Sequence, residues 1–239
     1  MKHTERYTVK WHDTDARRRV RPSELLVYMQ ETANRQFKRA NRDLDNERDR
    51  DGVAFILSKI SLDFYKPLYA YEEIEAETFT CESKGFSFNR CFRILRNGEE
   101  IARGVSVWAL VDINNSKLLR ADSYDVGFEH EPMLETKAPM RVKMPRPEEF
   151  VSVGKRKIVY SDIDYNMHMN NTKYPNMLCD FMELCDTDKI AGMSLSYLNE
   201  ASIGDEIEVL RVKNENGYFF KTIGKENKVL LEAQVLLAE

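Results

Sequence analysis

Between Asp164 and Tyr174 the chain reads Asp-Tyr-Asn-Met-His-Met-Asn-Asn-Thr-Lys-Tyr, which sets a carboxylate, a carboxamide and an imidazole at the alternate positions 164, 166 and 168. An imidazole and a carboxylate can take and return a proton, and a fixed amide can hold a developing oxyanion. An earlier stretch, Asp13 to Pro22, is a degraded copy of this segment. There Asp15 matches Asp164, but Arg17 stands where Asn166 stands and Arg19 where His168 stands. One unit thus occurs twice, and only the second copy carries acid, amide and imidazole together. That asymmetry places the chemistry of an enzyme in the second half.

The surrounding elements repeat as well. Residues 4–11 alternate as a strand. Pro22 fits a first helical turn, and Leu26, Met29, Ala33, Phe37, Ala40 and Leu44 follow at spacings of three and four, one face of a long amphipathic helix. The charged run 41–52 is expected to close that helix as a loop. Alternating segments over 53–65, 74–81, 86–95 and 101–111 then predict antiparallel strands, with a hairpin at Asn97-Gly98. After a proline-dense stretch over 131–150, the pattern restarts with a strand over 155–161. A shorter helix over 172–185, capped by Asn170 or Asn171, and strands over 192–197, 207–213, 217–223 and 228–237 complete the second series. Asp15 and Asp164 are 149 residues apart, whereas Leu62-Asp63-Phe64 fits Leu195-Ser196-Tyr197 at an offset of 133. The difference falls in the first helix and its loop, as a diverged duplication allows.

A strand, a helix and an antiparallel sheet wrapping that helix is the hotdog arrangement, so the expected fold class is α+β: a tandem (double) hotdog. The expected organisation is a first unit over 1–130, a linker over 131–150 and a second unit over 151–239.

Composition narrows the function classes. The 239 residues are 42% hydrophobic, enough for a globular core. No apolar run approaches the roughly 18 residues that span a bilayer, and residues 1–7 lack an apolar signal core, so the expected location is cytoplasmic. Cys81, Cys91, Cys179 and Cys185 form no Cys-x-x-Cys pair and have no histidine cluster beside them, so reduced thiols and no metal or cofactor are expected. A net charge of −4 argues against nucleic-acid binding. The charge is uneven, with basic groups at Arg17, Arg18, Arg19 and Arg21 and again at Lys155, Arg156 and Lys157, which fits docking of an acidic partner.

The segment Asp164 to Asn171, taken with Tyr197-Leu198-Asn199-Glu200, resembles the active-site motifs of acyl-acyl carrier protein thioesterases, and the resemblance covers nearly the whole chain. It implies that Asp164, Asn166, His168 and Glu200 are catalytic, and that free fatty acid is released from acyl carrier protein. In plant members a cysteine follows the glutamate; here that residue is Ala201, which favours activated water or a carboxylate-based route. The residue types suit thioester hydrolysis in their own right. Glu200 or Asp164 can take the proton of water, His168 can orient water or protonate the leaving thiol, and Asn166 with backbone N–H groups can hold the oxyanion, a donor of this kind being worth ~3–4 kcal/mol. The first unit is then expected to hold the fatty acyl chain against Leu26, Met29, Ala33 and Phe37, with the basic clusters docking the carrier protein. The alternatives are an acyl-CoA thioesterase of the same fold and a non-catalytic acyl-binding protein. A homodimer is left open.

Overall fold

The computed structural model describes residues 1–184 and 188–238, so Cys185 lies outside them; the second helix, expected over 172–185, covers only Lys173–Asp180. In chain order the elements are β1 (His3–Thr8), α1 (Pro22–Arg39), α2 (Leu44–Asp51), β2 (Val53–Phe64), β3 (Glu73–Lys84), β4 (Ser87–Arg96), β5 (Glu99–Asp112), β6 (Lys117–Leu119), β7 (Val151–Lys157), α3 (Lys173–Asp180), β8 (Ile190–Tyr197), β9 (Glu206–Asn214), β10 (Gly217–Ile223) and β11 (Val229–Leu237). The strands form one antiparallel sheet in the order β1-β3-β4-β5-β2-β8-β11-β10-β9-β7, with β6 on β5. The second five strands repeat the first five in mirrored sequence. The seam between β2 and β8 pairs Ser61 with Ser194, residues related by the same offset of 133. An approximate twofold axis therefore crosses the sheet at that pair.

Local sequence explains the joints. Pro22 opens α1, and Asn97 and Gly98, both at positive φ, turn β4 into β5 as a two-residue hairpin requires. The apolar stripe of α1 is buried, with Leu26 and Met29 fully inaccessible, and it shares one hydrophobic core with Leu195, Tyr218 and Phe220 of the second half. Burying each such side chain contributes roughly 1.5–3 kcal/mol.

The structure also corrects the reading of the first helix and of the loop after it. The apolar stripe was expected to run to Leu44 in one helix. Instead α1 ends at Arg39, and Asn41, at φ 56°, reverses the chain. A second helix, α2, then occupies the segment read as a loop. The Asp43 carboxylate accepts from the N–H groups of Asp45 (3.1 Å) and Asn46 (3.3 Å), and Gly52 ends the helix at φ 66°.

The proline-rich segment over 131–150 is also more than a tether. Leu134 and Met140 cover Phe79, Cys81, Cys91 and Val105 on the face of the sheet opposite α1. Buried Asp63 accepts from the N–H groups of Lys137 (2.7 Å) and Ala138 (3.0 Å). The prolines remove donors from a strand-free path, and Asp63 anchors what remains. Among the described residues, no helix is long and apolar enough to cross a membrane.

Candidate active site

The turn that carries the motif is built by its aspartate. Asp164 Oδ1 accepts from the Asn166 N–H at 2.9 Å, and Asp164 Oδ2 accepts from the Asn170 side-chain amide at 3.1 Å. The backbone closes with Asp164 N–H to His168 O at 3.2 Å and Met167 N–H to Asp164 O at 2.9 Å, which places Met167 at φ 66°. The next residue ties this turn to the second cluster: Met169 N–H donates to Ala201 O at 2.8 Å, and His168 bridges to Ser202. That pairing brings Glu200 beside the imidazole, with Glu200 Oε2 3.1 Å from His168 Nε2. Both side chains are partly exposed, as a pair that meets water must be.

Asn166 is oriented from the other half of the molecule. Arg48, on α2, donates through Nη1 to Asn166 Oδ1 and lies over the Tyr165 ring at 5.4 Å. A guanidinium can only donate, so the amide must turn its oxygen toward Arg48, which leaves its NH2 group as the donor for another acceptor. Sequence reasoning missed Arg48 because 41–52 was read as a loop. The Asp43-Leu44-Asp45-Asn46-Glu47 capping pattern was the available signal.

Asp164, Asn166, His168 and Glu200 all line one cavity of about 700 Å³. The rest of its wall comes from Gln30, Ala33, Asn34 and Phe37 of α1, Leu44 and Arg48 of α2, and Phe55, Phe88, Arg90 and Trp108 of the first-half strands, with Tyr174 and Tyr197 at the motif end. The two tyrosines pack edge to face at 5.5 Å, and Tyr197 donates to Asn171 O at 3.0 Å. Burial raises the pKa of both phenols, so they stay neutral.

Of the four residues expected to hold an acyl chain, Ala33 and Phe37 face this cavity. Leu26 and Met29 do not line it, and that expectation is corrected. Both are fully buried, and Met29 packs on the sheet so closely that a Cβ at Gly104 would stand 3.0 Å from its Sδ. Both share the stripe of Ala33 and Phe37, but Met29 and Leu26 lie about one and two turns nearer the start of the helix than Ala33, where the stripe packs into the core.

Several of the expected docking cations have other work. Arg17 donates to Leu184 O (3.2 Å) and Asp188 O (3.2 Å), and Arg19 to Asp188 O (3.1 Å). Arg156 is paired with buried Asp162, Lys155 lies 2.8 Å from Glu206, and Arg21 donates to His12 O at 2.8 Å. Arg18 and Lys157 are exposed. No cysteine lines the cavity among the described residues; burial pushes the Cys179 thiol up to about 12. Nor do the described residues gather three or more His, Cys, Asp or Glu side chains into a metal-binding group.

A mirrored antiparallel sheet, with an imidazole–carboxylate pair on the wall of a cavity, defines a hotdog-type protein with a candidate acid–base site. Residues 1–124 match the family model for the acyl-ACP thioesterase N-terminal domain, and residues 148–232 match the model for the C-terminal domain. The chain belongs to the acyl-ACP thioesterase family. It is 22% identical over 227 residues to the chloroplastic acyl-[acyl-carrier-protein] hydrolase FATB2 of Cuphea viscosissima, covering 88% of this chain and 55% of that protein. It is likewise 22% identical to the chloroplastic palmitoyl-acyl carrier protein thioesterase of Cuphea hookeriana, covering 54% of that protein. The chain thus spans about half the length of the curated relatives it matches. Among solved structures, an acyl-ACP thioesterase from Bacteroides thetaiotaomicron superposes with a TM-score of 0.89 at 21% identity, over 99% of this chain and 98% of that one. The 12:0-ACP thioesterase of Umbellularia californica gives 0.86 at 14% identity, over 99% and 97%. These likenesses establish the fold.

Proposed function

We propose that this protein hydrolyses the thioester of acyl-acyl carrier protein and releases free fatty acid, and that its fold is a tandem hotdog. The first unit, over 1–130, holds the acyl chain, and the second, over 151–239, carries the chemistry. The observation that carries this reading is the contact between His168 and Glu200 at the mouth of the cavity, beside an Asn166 amide whose NH2 is left free to donate.

Water held at His168 and Glu200 loses a proton to that pair as its oxygen bonds to the thioester carbonyl carbon. The carbonyl oxygen becomes an oxyanion and accepts from the Asn166 NH2 group. Collapse of the tetrahedral intermediate re-forms the carbonyl and breaks the C–S bond. The thiolate leaves and takes up a proton from His168, so thioester plus water yields carboxylic acid plus thiol. Ala201 is buried and its methyl side chain offers no nucleophile, so no thiol follows Glu200. Asp164 acts through the residues it positions: both of its oxygens are engaged in holding the turn.

Carrier-protein docking rests best on Arg18 and Lys157, because Arg17, Arg19, Arg21, Lys155 and Arg156 already serve contacts within the chain. The test is hydrolysis of a matched panel of acyl carrier protein and acyl-CoA thioesters by the purified protein. Faster turnover of the carrier-protein series is expected. A preference for acyl-CoA makes the chain a CoA thioesterase of the same fold, and hydrolysis of neither removes the enzymatic reading.

A further inference from the structure

The cavity wall includes two buried side chains, Arg90 and Gln30, with donors that no described residue fills. Arg90 sits on the cavity-facing side of β4 and is buried, with 5% of its surface accessible. Its Nη1 donates to Gln36 Oε1 at 2.6 Å and to Thr78 Oγ1 at 3.0 Å, and its guanidinium carbon lies 5.2 Å from the centre of the Phe37 ring. Its Nη2 is buried and has no hydrogen-bond partner among the described residues. No carboxylate is within ion-pair distance of it there, and burial pulls its pKa down to about 10. A second cavity-lining donor, Gln30 Nε2, is also buried without a partner among the described residues. A buried cation without a counter-ion and an unfilled donor are each costly, so a chain keeps them where a ligand completes them.

The place of Arg90 matters as much as its chemistry. Glu200 lies in the loop just past Tyr197, the last residue of β8, and β4 stands three strand positions from β8 in the sheet. At about 4.8 Å per strand the two are roughly 14 Å apart across the sheet. A chain whose thioester lies at His168 therefore brings its far end to Arg90.

We propose that the acyl chain this cavity selects carries a hydrogen-bond-accepting oxygen at its distal end, with a terminal carboxylate as the best match to the unpaired Arg90. This rests on the acyl-thioester reading of the same site. The oxygen would accept from Nη2, and a carboxylate would also supply the missing counter-charge.

The experiment uses acyl carrier protein thioesters from octanoyl to hexadecanoyl, each with a methyl, ω-hydroxy or ω-carboxy end. Calorimetric binding of the corresponding free acids runs alongside. At the best-fitting length, ω-oxygenated chains should exceed the methyl-ended chain by about tenfold or more in kcat/KM and in affinity, the ω-carboxy chain most. In R90M that preference should vanish or reverse, in R90K it should partly return, and Q30L should weaken it while leaving Arg90 in place. Circular dichroism and Tm confirm that each variant is folded. A methyl-ended chain that binds and reacts as well as the oxygenated ones at every length overturns the proposal, while hydrolysis itself leaves the thioesterase reading standing. Hydrolysis of none of the thioesters removes that reading, and the calorimetry still decides whether Arg90 selects an oxygenated end.

Discussion

In both halves an aspartate folds its carboxylate back onto the N–H two residues along, Asp15 onto Arg17 at 2.8 Å and Asp164 onto Asn166 at 2.9 Å. The match continues atom by atom. Arg18 N–H reaches Asp15 O at 2.9 Å, as Met167 N–H reaches Asp164 O at 2.9 Å, and Arg18 and Met167 sit at φ 63° and 66°. Val20 N–H bonds Leu68 O at 2.8 Å, as Met169 N–H bonds Ala201 O at 2.8 Å. The backbones are twins, but the side chains diverge. Where the second turn has Asn166, His168 and Glu200, the first has Arg17, Arg19 and Pro67. Each turn also faces the other half: Asn166 meets Arg48 of α2, while Arg17 and Arg19 fasten the carbonyls of Leu184 and Asp188. The aspartate is thus the element common to both turns, and it makes the fold of the turn. The residues that differ separate the proposed reactive site from an internal brace.

Four changes would sharpen or break that contrast. The largest effect is expected for His168→Ala, with a loss in kcat of about 10²–10⁴, the range for a positioned acid–base group. Steady-state hydrolysis by the folded variant checks it, and unchanged turnover would remove His168 from the chemistry. Asp164→Ala should follow at about 100-fold or more, because the turn that presents Asn166 and His168 loosens. The matched Asp15→Ala should instead lower Tm, by an amount corresponding to about 1–3 kcal/mol, and spare kcat. Equal kcat losses from the two aspartates would erase the distinction between the halves. Arg48→Met frees the Asn166 amide to turn, so a loss of about tenfold in kcat is expected, short of the 10²–10³ that follows removal of an oxyanion donor outright. Comparison with Asn166→Ala gives the scale, and the double variant should be no slower than Asn166→Ala alone. The smallest effect concerns docking. KM for carrier-protein substrates should rise several-fold as salt shortens the Debye length from ~10 Å at 0.1 M, and Arg18→Glu with Lys157→Glu should raise it further with kcat little changed. A KM indifferent to both would place docking elsewhere.

Much of this was legible in the sequence because duplication doubles every signal. The Asp15–Asp164 correspondence, the two offsets and the Asn97-Gly98 hairpin all reappear as hydrogen bonds, strand register and positive φ angles. What was hidden had contradictory local cues. The span 41–52 is charged and has no apolar stripe, so α2 reads as solvent-facing loop. Its cap at Asp43 and the Arg48–Asn166 contact make it part of the site. Met29 and Leu26 share one stripe with Ala33 and Phe37, and periodicity alone does not say which turns of an apolar stripe meet sheet and which meet cavity. Arg90, within an alternating strand, gave no sign that it would be enclosed without an acid beside it. The basic runs were visible as charge, but whether each guanidinium points to solvent or to a carbonyl depends on the other half of the chain.

The claim at the centre is that the second turn carries the reaction and the first only braces it. Single-turnover hydrolysis of an acyl carrier protein thioester by Glu200→Gln and by Arg19→Ala, each confirmed folded, tests it most directly. The expected result is a rate lowered by about 100-fold or more in Glu200→Gln and a wild-type rate, with a reduced Tm, in Arg19→Ala. A wild-type rate in Glu200→Gln, or a comparable collapse in Arg19→Ala, would contradict it.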